Sequence, residues 1–257
     1  NISDISKKEL RFIIDNAKLR KKNRANLKKN SIDADAPLDG KILIMLFEKP
    51  STRTRISFDL AVKQLGGKSL ILNPDEIHYG IGNESLHDTA KILSQYADIV
   101  MLRTDVHKKV EDFSRYLNIP IINGLTDLSH PCQIMSDIMT FEELRGPIQN
   151  KKITWLGDGN NVVYSLIEAA VQFDFELHIA CPKGFEPSKN ILQWAKKNKG
   201  NISVTKDSID AVSSADCVIT DKWISRGDKI NERKKKKTLR LYQVNNKIMK
   251  KANKDSI

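Results

Sequence analysis

Residues 48–55, EKPSTRTR, combine hydroxyl groups with two arginines between an apolar run (41–47) and an amphipathic stretch. Ser51 or Thr52 is a natural N-cap for the helix that the amphipathic stretch predicts. The free N–H groups and dipole of a helix N-terminus favour an anion, and Arg53 and Arg55 can add charge-assisted hydrogen bonds. The segment therefore predicts an anion site. The alternative is a capped helix with solvated arginines.

Two other apolar runs of this half end in polar side chains. Arg103 and Thr104 close the run 98–103, and the run 119–123 leads to His130 and Gln133. A strand-end arginine is often only an ion-pair partner, and a lone histidine near a helix start is often structural. Because ligands bind beyond the carboxyl ends of parallel strands, we expect these side chains to converge and to hold a phosphate and a carbonyl oxygen.

The second half carries a glycine-rich turn, GDGNNV at 157–162. It has the first two glycines of GxGxxG but not the third, and the next strand is not followed by an acidic residue, so the pattern does not favour a dinucleotide site. Asn160 and Asn161 offer amides suited to a carboxylate. Asp221, at a strand end, could hold an ammonium group with Ser225. For Asp221 and Ser225, the alternative interpretation is a turn that is merely rich in polar residues.

The elements that must position these groups are short apolar runs alternating with helical stretches, in two series. This alternation predicts an α/β fold of two domains, each a mainly parallel sheet flanked by helices, joined by an interdomain helix that Gly146-Pro147 ends. The predicted boundaries are 1–133, 134–148 and 149–257. The predicted strands are 41–47, 69–73, 98–103, 119–123, 152–157, 176–181, 202–205 and 217–220; the predicted helices are 6–20, 53–65, 85–97, 107–117, 131–145, 162–173, 187–198, 208–214 and 243–251.

Composition narrows the function classes. The chain has 257 residues, 40% hydrophobic and 29% charged, which indicates a globular protein. It contains no apolar run long enough to span a membrane and no signal-peptide pattern at its start. Three scattered cysteines indicate a reducing compartment and no metal pattern. The net charge of +11 is concentrated in residues 1–30 and 222–257. Nucleic-acid binding through the lysine run 234–237 is one alternative, but such a run is usually a solvated face.

In their order along the chain, STRTR (51–55), HPCQ (130–133), GDGNNV (157–162), TDKWISRG (220–227) and YQVN (242–245) resemble motifs of the aspartate/ornithine carbamoyltransferase family. The third and fourth are similar to the ornithine branch of that family. The resemblance covers nearly the whole chain. It implies transfer of the carbamoyl group of carbamoyl phosphate to the δ-amine of L-ornithine, giving citrulline and phosphate in arginine biosynthesis, without metal or organic cofactor.

The resemblance also implies roles for individual residues. It assigns the phosphate to Ser51, Thr52, Arg53 and Thr54, and the carbonyl side to Thr54, Arg103, His130 and Gln133, of which Arg53, Arg103 and His130 would be catalytic. It assigns the ornithine carboxylate to Asn161 and the α-amino group to Asp221 and Ser225. Closing of the domains would exclude water.

Further expectations depend on the same resemblance. We expect a cytoplasmic homotrimer that binds neither nucleic acid nor membrane, in which His78, where the family commonly has Gln, helps to bind carbamoyl phosphate. Arg226 stands among the ornithine-binding residues where a Met is usual. The sequence stops before the family's His-Cys-Leu-Pro strand end, so we expect a fragment or a shortened relative. The alternative function is a non-catalytic carbamoyl phosphate-binding or anion-binding relative, or a trimer partner.

Overall fold

A computed structural model describes residues 1–73, 84–224 and 231–257. The described chain divides into two compact units. One, here called the β1–β4 unit, is Asp15–Cys132; the other, here called the β5–β8 unit, combines Asn1–Ile14 with Gln133–Ile257. The predicted α/β class with two parallel sheets flanked by helices is confirmed.

The β1–β4 unit is built on a four-stranded parallel sheet in the order β2-β1-β3-β4. The central strands are buried over most of their length, as expected for a sheet covered on both faces. Its apolar side chains form two separate clusters, one containing Leu46 and Phe113 and the other Met45 and Val62. The strands are β1 (Ile42–Phe47), β2 (Lys68–Leu72), β3 (Ile99–Arg103) and β4 (Ile121–Leu125); the helices wholly within the unit are α2 (Thr52–Gln64), α3 (Leu86–Tyr96) and α4 (His107–Tyr116).

The β5–β8 unit contains a second four-stranded parallel sheet, in the order β7-β6-β5-β8. Trp155 on β5 is fully buried and belongs to a core that also contains Leu166 and Phe175. The strands are β5 (Lys152–Leu156), β6 (Glu176–Ala180), β7 (Ile202–Thr205) and β8 (Cys217–Ile219); the helices are α6 (Asn161–Phe173), α7 (Lys189–Lys197), α8 (Ser208–Val212), α9 (Glu232–Leu239) and α10 (Asn246–Met249).

Two helices cross the boundary between the units. Helix α1 (Lys7–Asn23) begins in the β5–β8 unit, where Leu10 and Ile14 join its core together with Ile2. Helix α5 (Pro131–Arg145) begins with two residues of the β1–β4 unit. It occupies the predicted range 131–145 and is followed by Gly146 at φ +76°, the left-handed conformation that commonly follows a helix end.

The observed elements differ from the predicted ones in a few places. The lysine run, a pattern typical of a solvated face, lies in α9, and Lys235 departs from that pattern because it is buried together with Leu239. The strand predicted at 119–123 begins later and extends to Leu125, past a register shift opposite Leu102 and Arg103. The last predicted helix, 243–251, is reduced to α10 because Asn245 caps it from within that range. No helix in residues 1–73, 84–224 or 231–257 is long and apolar enough to cross a membrane.

Candidate functional site

In both sheets, predicted site residues follow the two strands that flank the topological switch point. This is the point where the strand order reverses direction. In the first sheet this point lies between β1 and β3, which lead to residues 51–55 and to Arg103. In the second it lies between β5 and β8, which lead to residues 157–161 and to Asp221. Crevices outside the carboxyl ends of strands at such points are the usual ligand sites of open α/β sheets.

Helix α2 begins directly after β1 and presents its N-terminus at the first switch point. Ser51 occupies the N-cap position with extended backbone, but its side chain makes no capping hydrogen bond. The predicted N-cap position is therefore correct, but the Ser51 hydroxyl does not make the capping hydrogen bond. Within the described residues, neither the Ser51 nor the Thr52 hydroxyl is tied to the helix backbone. First-turn N–H groups lack helical partners, so this end can receive a ligand.

Arg103 and Thr54 are brought into direct contact. The Nη1 group of Arg103 donates a hydrogen bond to Thr54 Oγ1 at 2.6 Å. Burial lowers the pKa of the Arg103 guanidinium, and the nearby positive charge of Arg53 lowers it further. The Nε group of Arg103 is buried and has no hydrogen-bond partner among the described residues. Among the residues that the structure describes, no carboxylate forms an ion pair with Arg53 or Arg103.

Glu48 holds the start of this loop and was not singled out from the sequence. Its backbone N–H donates to Arg103 O at 2.9 Å, and its carboxylate accepts from Thr104 Oγ1 at 2.5 Å. Lys109 Nζ lies 2.8 and 3.0 Å from the two carboxylate oxygens. The carboxylate is thus neutralised by Lys109 and is not directed at the arginines. A Glu directly after a buried strand was the only signal in the sequence.

The end of β4 is shaped by an unusual backbone. Leu125 has φ +146°, outside the range that non-glycine residues favour. Asn123 holds this turn, because its Oδ1 accepts from Leu125 N at 2.9 Å and its Nδ2 donates to Ser129 Oγ at 2.8 Å. His130 follows this loop, partly buried, at the residue before α5. The predicted strand-end placement of His130 therefore agrees with the structure.

Gln133 lies in the first turn of α5 and is the first residue of its segment of the β5–β8 unit. Its Nε2 donates to Asp137 Oδ1, one helical turn later, at 2.8 Å. Burial raises the pKa of the Asp137 carboxyl; the Gln133 hydrogen bond opposes that shift, and the negative charge of Asp221 adds to it. Asp137 is a second carboxyl close to Asp221, and sequence reasoning did not identify it.

The second switch point is organised by Asn160. It caps α6, because its Oδ1 accepts from Val162 N at 3.0 Å and from Val163 N at 3.4 Å. Its Nδ2 donates to Asp221 Oδ2 at 2.9 Å. Asn161, which was predicted to bind a carboxylate, is the first residue of α6 and is partly buried. Asp221 also accepts from the N–H of Lys222 at 2.7 Å.

A buried lysine supports the same turn. Lys235 Nζ lies 2.7 Å from Asp158 Oδ2, and its side chain is only 5% exposed. The ammonium group also lies over the Phe185 ring, 6.0 Å from its centroid. The Asp158 carbonyl in turn accepts from Trp155 Nε1 at 3.0 Å. A lysine of the basic run thus has a structural partner, which the sequence pattern did not reveal.

Comparisons with known proteins identify the family of this chain. The family model for the carbamoyl-P binding domain of aspartate/ornithine carbamoyltransferase matches residues 1–143, and that for the Asp/Orn binding domain matches residues 149–257. The chain belongs to the aspartate/ornithine carbamoyltransferase family.

Within this family, the chain is 46% identical to the ornithine carbamoyltransferase of Brucella ovis, over 98% of this chain and 78% of that protein. The solved ornithine carbamoyltransferase from Pyrococcus furiosus is similar in fold, with a TM-score of 0.92 and 38% identity, over 100% of this chain and 82% of that one. The anabolic ornithine carbamoyltransferase from Campylobacter jejuni has a TM-score of 0.88 and 35% identity, over 100% of this chain and 83% of that one.

Three residues predicted from the carbamoyltransferase motifs, His78, Ser225 and Arg226, lie outside the described residues. The other predicted site residues lie at or beyond strand ends or at the adjoining helix starts. Within residues 1–73, 84–224 and 231–257, no group of three His, Cys, Asp or Glu side chains is arranged to hold a metal ion.

Proposed function

We propose that this chain is an ornithine carbamoyltransferase, which transfers the carbamoyl group of carbamoyl phosphate to the δ-amine of L-ornithine. The observation that carries the proposal is the pair Arg53 and Arg103 at the N-terminus of α2, which the described carboxylates leave without an ion pair. Such a pair is electrostatically unfavourable until an anion arrives. The names of the related proteins give the reaction for which the anion is used.

In this proposal the β1–β4 unit supplies the carbamoyl phosphate groups. Ser51, Thr52, Arg53 and Thr54 bind the phosphate through hydroxyls, helix N–H groups and a guanidinium. Thr54 already accepts a hydrogen bond from Arg103, so its own O–H can donate to an oxygen of the substrate. Arg103, His130 and Gln133 address the carbonyl oxygen. His78 also takes part in carbamoyl phosphate binding.

The β5–β8 unit supplies the ornithine groups. Asn161 binds the substrate carboxylate at the N-terminus of α6, and Asp221 and Ser225 bind the α-ammonium group. Arg226 belongs to the same set of ornithine-binding residues. The δ-amine lone pair attacks the carbonyl carbon, a C–N bond forms, and the bond from that carbon to the phosphate oxygen breaks. The phosphate leaves with the electron pair and takes up the proton that the amine loses. Donors preorganised at the carbonyl oxygen stabilise the negative charge that builds there.

We further propose that the protein acts in arginine biosynthesis, in the cytoplasm, as a homotrimer. The biosynthetic direction is supported by the similarity to the Campylobacter jejuni enzyme named anabolic. The trimer and the compartment are supported only by the family resemblance. Light scattering coupled to size-exclusion chromatography tests the trimer, which requires a mass three times that of one chain.

The test of the function is citrulline formation by the purified chain. We expect citrulline only when carbamoyl phosphate and ornithine are both present, and no carbamoylated product when aspartate replaces ornithine. Calorimetric titration with carbamoyl phosphate and then ornithine accompanies the assay. Binding of carbamoyl phosphate without citrulline would favour the non-catalytic anion-binding relative instead. Carbamoylation of aspartate would reassign the acceptor within the family.

A further inference from the structure

The Asn160 side chain joins the second switch point into one hydrogen-bonded unit. It reaches both the N-terminus of α6 and the strand-end carboxylate of Asp221. We propose that Asn160 is a positioning residue, which holds the Asp221 carboxylate in the orientation that receives the substrate ammonium group. This inference rests on the proposed function, because it assigns Asn160 a part in ornithine recognition.

The orientation of the Asn160 amide is fixed by its neighbours. Its Oδ1 accepts from two backbone N–H groups of α6, at 3.0 and 3.4 Å. A flipped amide would direct its N–H groups at those donors, so the amino group must face Asp221. The amide accepts at the helix through its oxygen and donates at the carboxylate through its nitrogen at the same time. An Asp would keep the cap and lose the donor.

The Asp221 carboxylate is restrained without being saturated. Its Oδ2 accepts from Asn160 Nδ2 at 2.9 Å, and its Oδ1 accepts from Lys222 N at 2.7 Å. An ionised carboxylate has about four acceptor positions, so an ammonium group can still be bound. The preceding residue, Thr220, is also restrained, because its Oγ1 donates a hydrogen bond to Leu156 O at 2.8 Å. A carboxylate held in this way loses little conformational freedom when it binds a cation.

The turn that carries Asn160 is fixed as well. A Cβ atom at Gly159 would lie 2.5 Å from Phe185 O and 2.6 Å from Pro187 N, so only glycine allows this approach. The Gly159 N–H donates to the same Phe185 carbonyl at 2.7 Å. On the other side, the buried ammonium of Lys235 holds Asp158. The backbone of the turn is therefore rigid at both residues that precede Asn160.

The variant Asn160→Asp tests the proposal. Asp is as good an N-cap as Asn, but a carboxylate at 160 would repel Asp221 instead of donating to it. We expect the KM for ornithine to rise by about tenfold or more, as for the loss of one hydrogen bond to a charged group. The KM for carbamoyl phosphate should stay within about twofold, well below the tenfold that corresponds to 1.4 kcal/mol.

The matched control is Asn245→Asp. Asn245 caps α10 through the same two kinds of contact, with Oδ1 accepting at 3.0 and 3.1 Å, but its Nδ2 faces the carbonyl of Gln243. This variant makes the same chemical change at a cap without a carboxylate, and should leave both KM values unchanged. An unchanged ornithine KM in Asn160→Asp, or an equal rise in the control, would overturn the proposal.

A stability cycle separates this proposal from the proposed function. Asn160→Asp should lower the urea midpoint of unfolding, and the swapped variant Asn160→Asp with Asp221→Asn should recover most of the loss, because the donor and acceptor are then exchanged. If the two changes are merely additive, the positioning contact is wrong. If the wild-type chain makes no citrulline while the swap recovers stability, the contact is correct and the proposed function is wrong.

Discussion

The two switch points of this molecule differ in how their charged side chains are compensated. At the first, Arg53 and Arg103 lie close together, and no carboxylate within the described chain neutralises either guanidinium. At the second, Asp158 is paired with Lys235, and Asp221 is held by Asn160. The first region is an uncompensated cationic site, whereas the second is a network of amides and carboxylates whose polar contacts are largely made.

The difference is informative about the ligands. Two guanidinium groups that repel each other without a counter-charge favour a small, highly charged anion, whose binding relieves the repulsion. A preorganised amide and carboxylate network instead favours a zwitterion, because it offers a donor and an acceptor in fixed positions. An enzyme that joins carbamoyl phosphate to ornithine needs one region of each kind.

The largest expected effect is at the first region. Arg103→Ala should lower kcat/KM for citrulline formation by about a thousandfold, the cost typical of a removed donor at a developing oxyanion. The change also removes the donor to Thr54. Steady-state kinetics measures the loss. Arg115→Ala, an exposed arginine of α4 that pairs with Asp112, is the matched control and should retain wild-type rates. A small effect at Arg103 would move the carbonyl-binding role to another residue.

Sequence reasoning located the strand-end residues because their placement follows from local pattern. An apolar run followed by STRTR or by GDGNN places those residues at the carboxyl end of a strand, whatever the rest of the fold does. The contact of Arg103 with Thr54, by contrast, joins two chain segments whose proximity depends on β1 and β3 being neighbours. Periodicity carries no information on which strands are adjacent.

The contacts that sequence reasoning missed are tertiary ones. Lys235 belongs to a run of four lysines that indicates a solvated surface, yet it is buried because Asp158 and Phe185 lie beside it. Ile2, Leu10 and Ile14 pack in a core whose other buried members begin at Ile134, far along the chain. Ser51 stands at the predicted N-cap without making the capping bond. In each case the burial or the hydrogen bonding of the residue depends on its three-dimensional environment, which the local sequence pattern does not specify.

The second largest expected effect tests whether the ion pair between Lys235 and Asp158 stabilises the second region. Lys235→Met should lower the free energy of unfolding by about 3 kcal/mol, because it leaves Asp158 without its counter-charge. Urea unfolding followed by tryptophan fluorescence is the measurement, since all three tryptophans, at 155, 194 and 223, lie in the β5–β8 unit.

Lys236→Met provides the matched control. Lys236 is the next residue of α9, its side chain is 59% exposed, and it pairs with Glu232 at 3.6 Å. Exposed pairs of this kind contribute about 0.5 kcal/mol or less. Equal losses in the two variants would show that Lys235 acts through the helix surface and not through its buried pair.

The third effect is smaller and concerns the contact inside the first region. Thr54→Val removes the hydroxyl that Arg103 contacts at 2.6 Å and leaves the side-chain shape almost unchanged. We expect kcat/KM with respect to carbamoyl phosphate to fall by about tenfold, as for one lost hydrogen bond to a charged group. Thr54→Ser keeps the hydroxyl and should recover most of the activity. Equal losses in both variants would indicate a role for the methyl group instead.

The smallest expected effect is on the pH dependence of stability, and it concerns carboxyls whose pKa values are shifted in opposite directions. Carboxyls of the β1–β4 unit such as Asp59 and Asp98 have lowered pKa values, chiefly because of hydrogen bonds from Ser69 and Lys41. They stabilise their unit at neutral pH, and this contribution is lost as the pH falls. Glu168 of the β5–β8 unit has the opposite shift: burial raises its pKa, although Ser3 hydrogen bonds oppose the change.

A group whose pKa is raised on folding contributes stability that is present below its ordinary value and is lost as the pH rises through the folded value. Wild-type protein should therefore lose stability relative to Glu168→Gln as the pH rises from 4.5, the ordinary Glu value, towards neutrality. Urea unfolding followed by tryptophan fluorescence across this range measures the difference, which removes the contributions of all other groups. Glu143→Gln, at an exposed position on α5, is the control and should follow wild type at every pH. A gap between wild type and Glu168→Gln that stays constant with pH would mean that the N–H groups of Ile2 and Ser3, at 3.1 and 3.3 Å, fully offset the burial of this carboxylate.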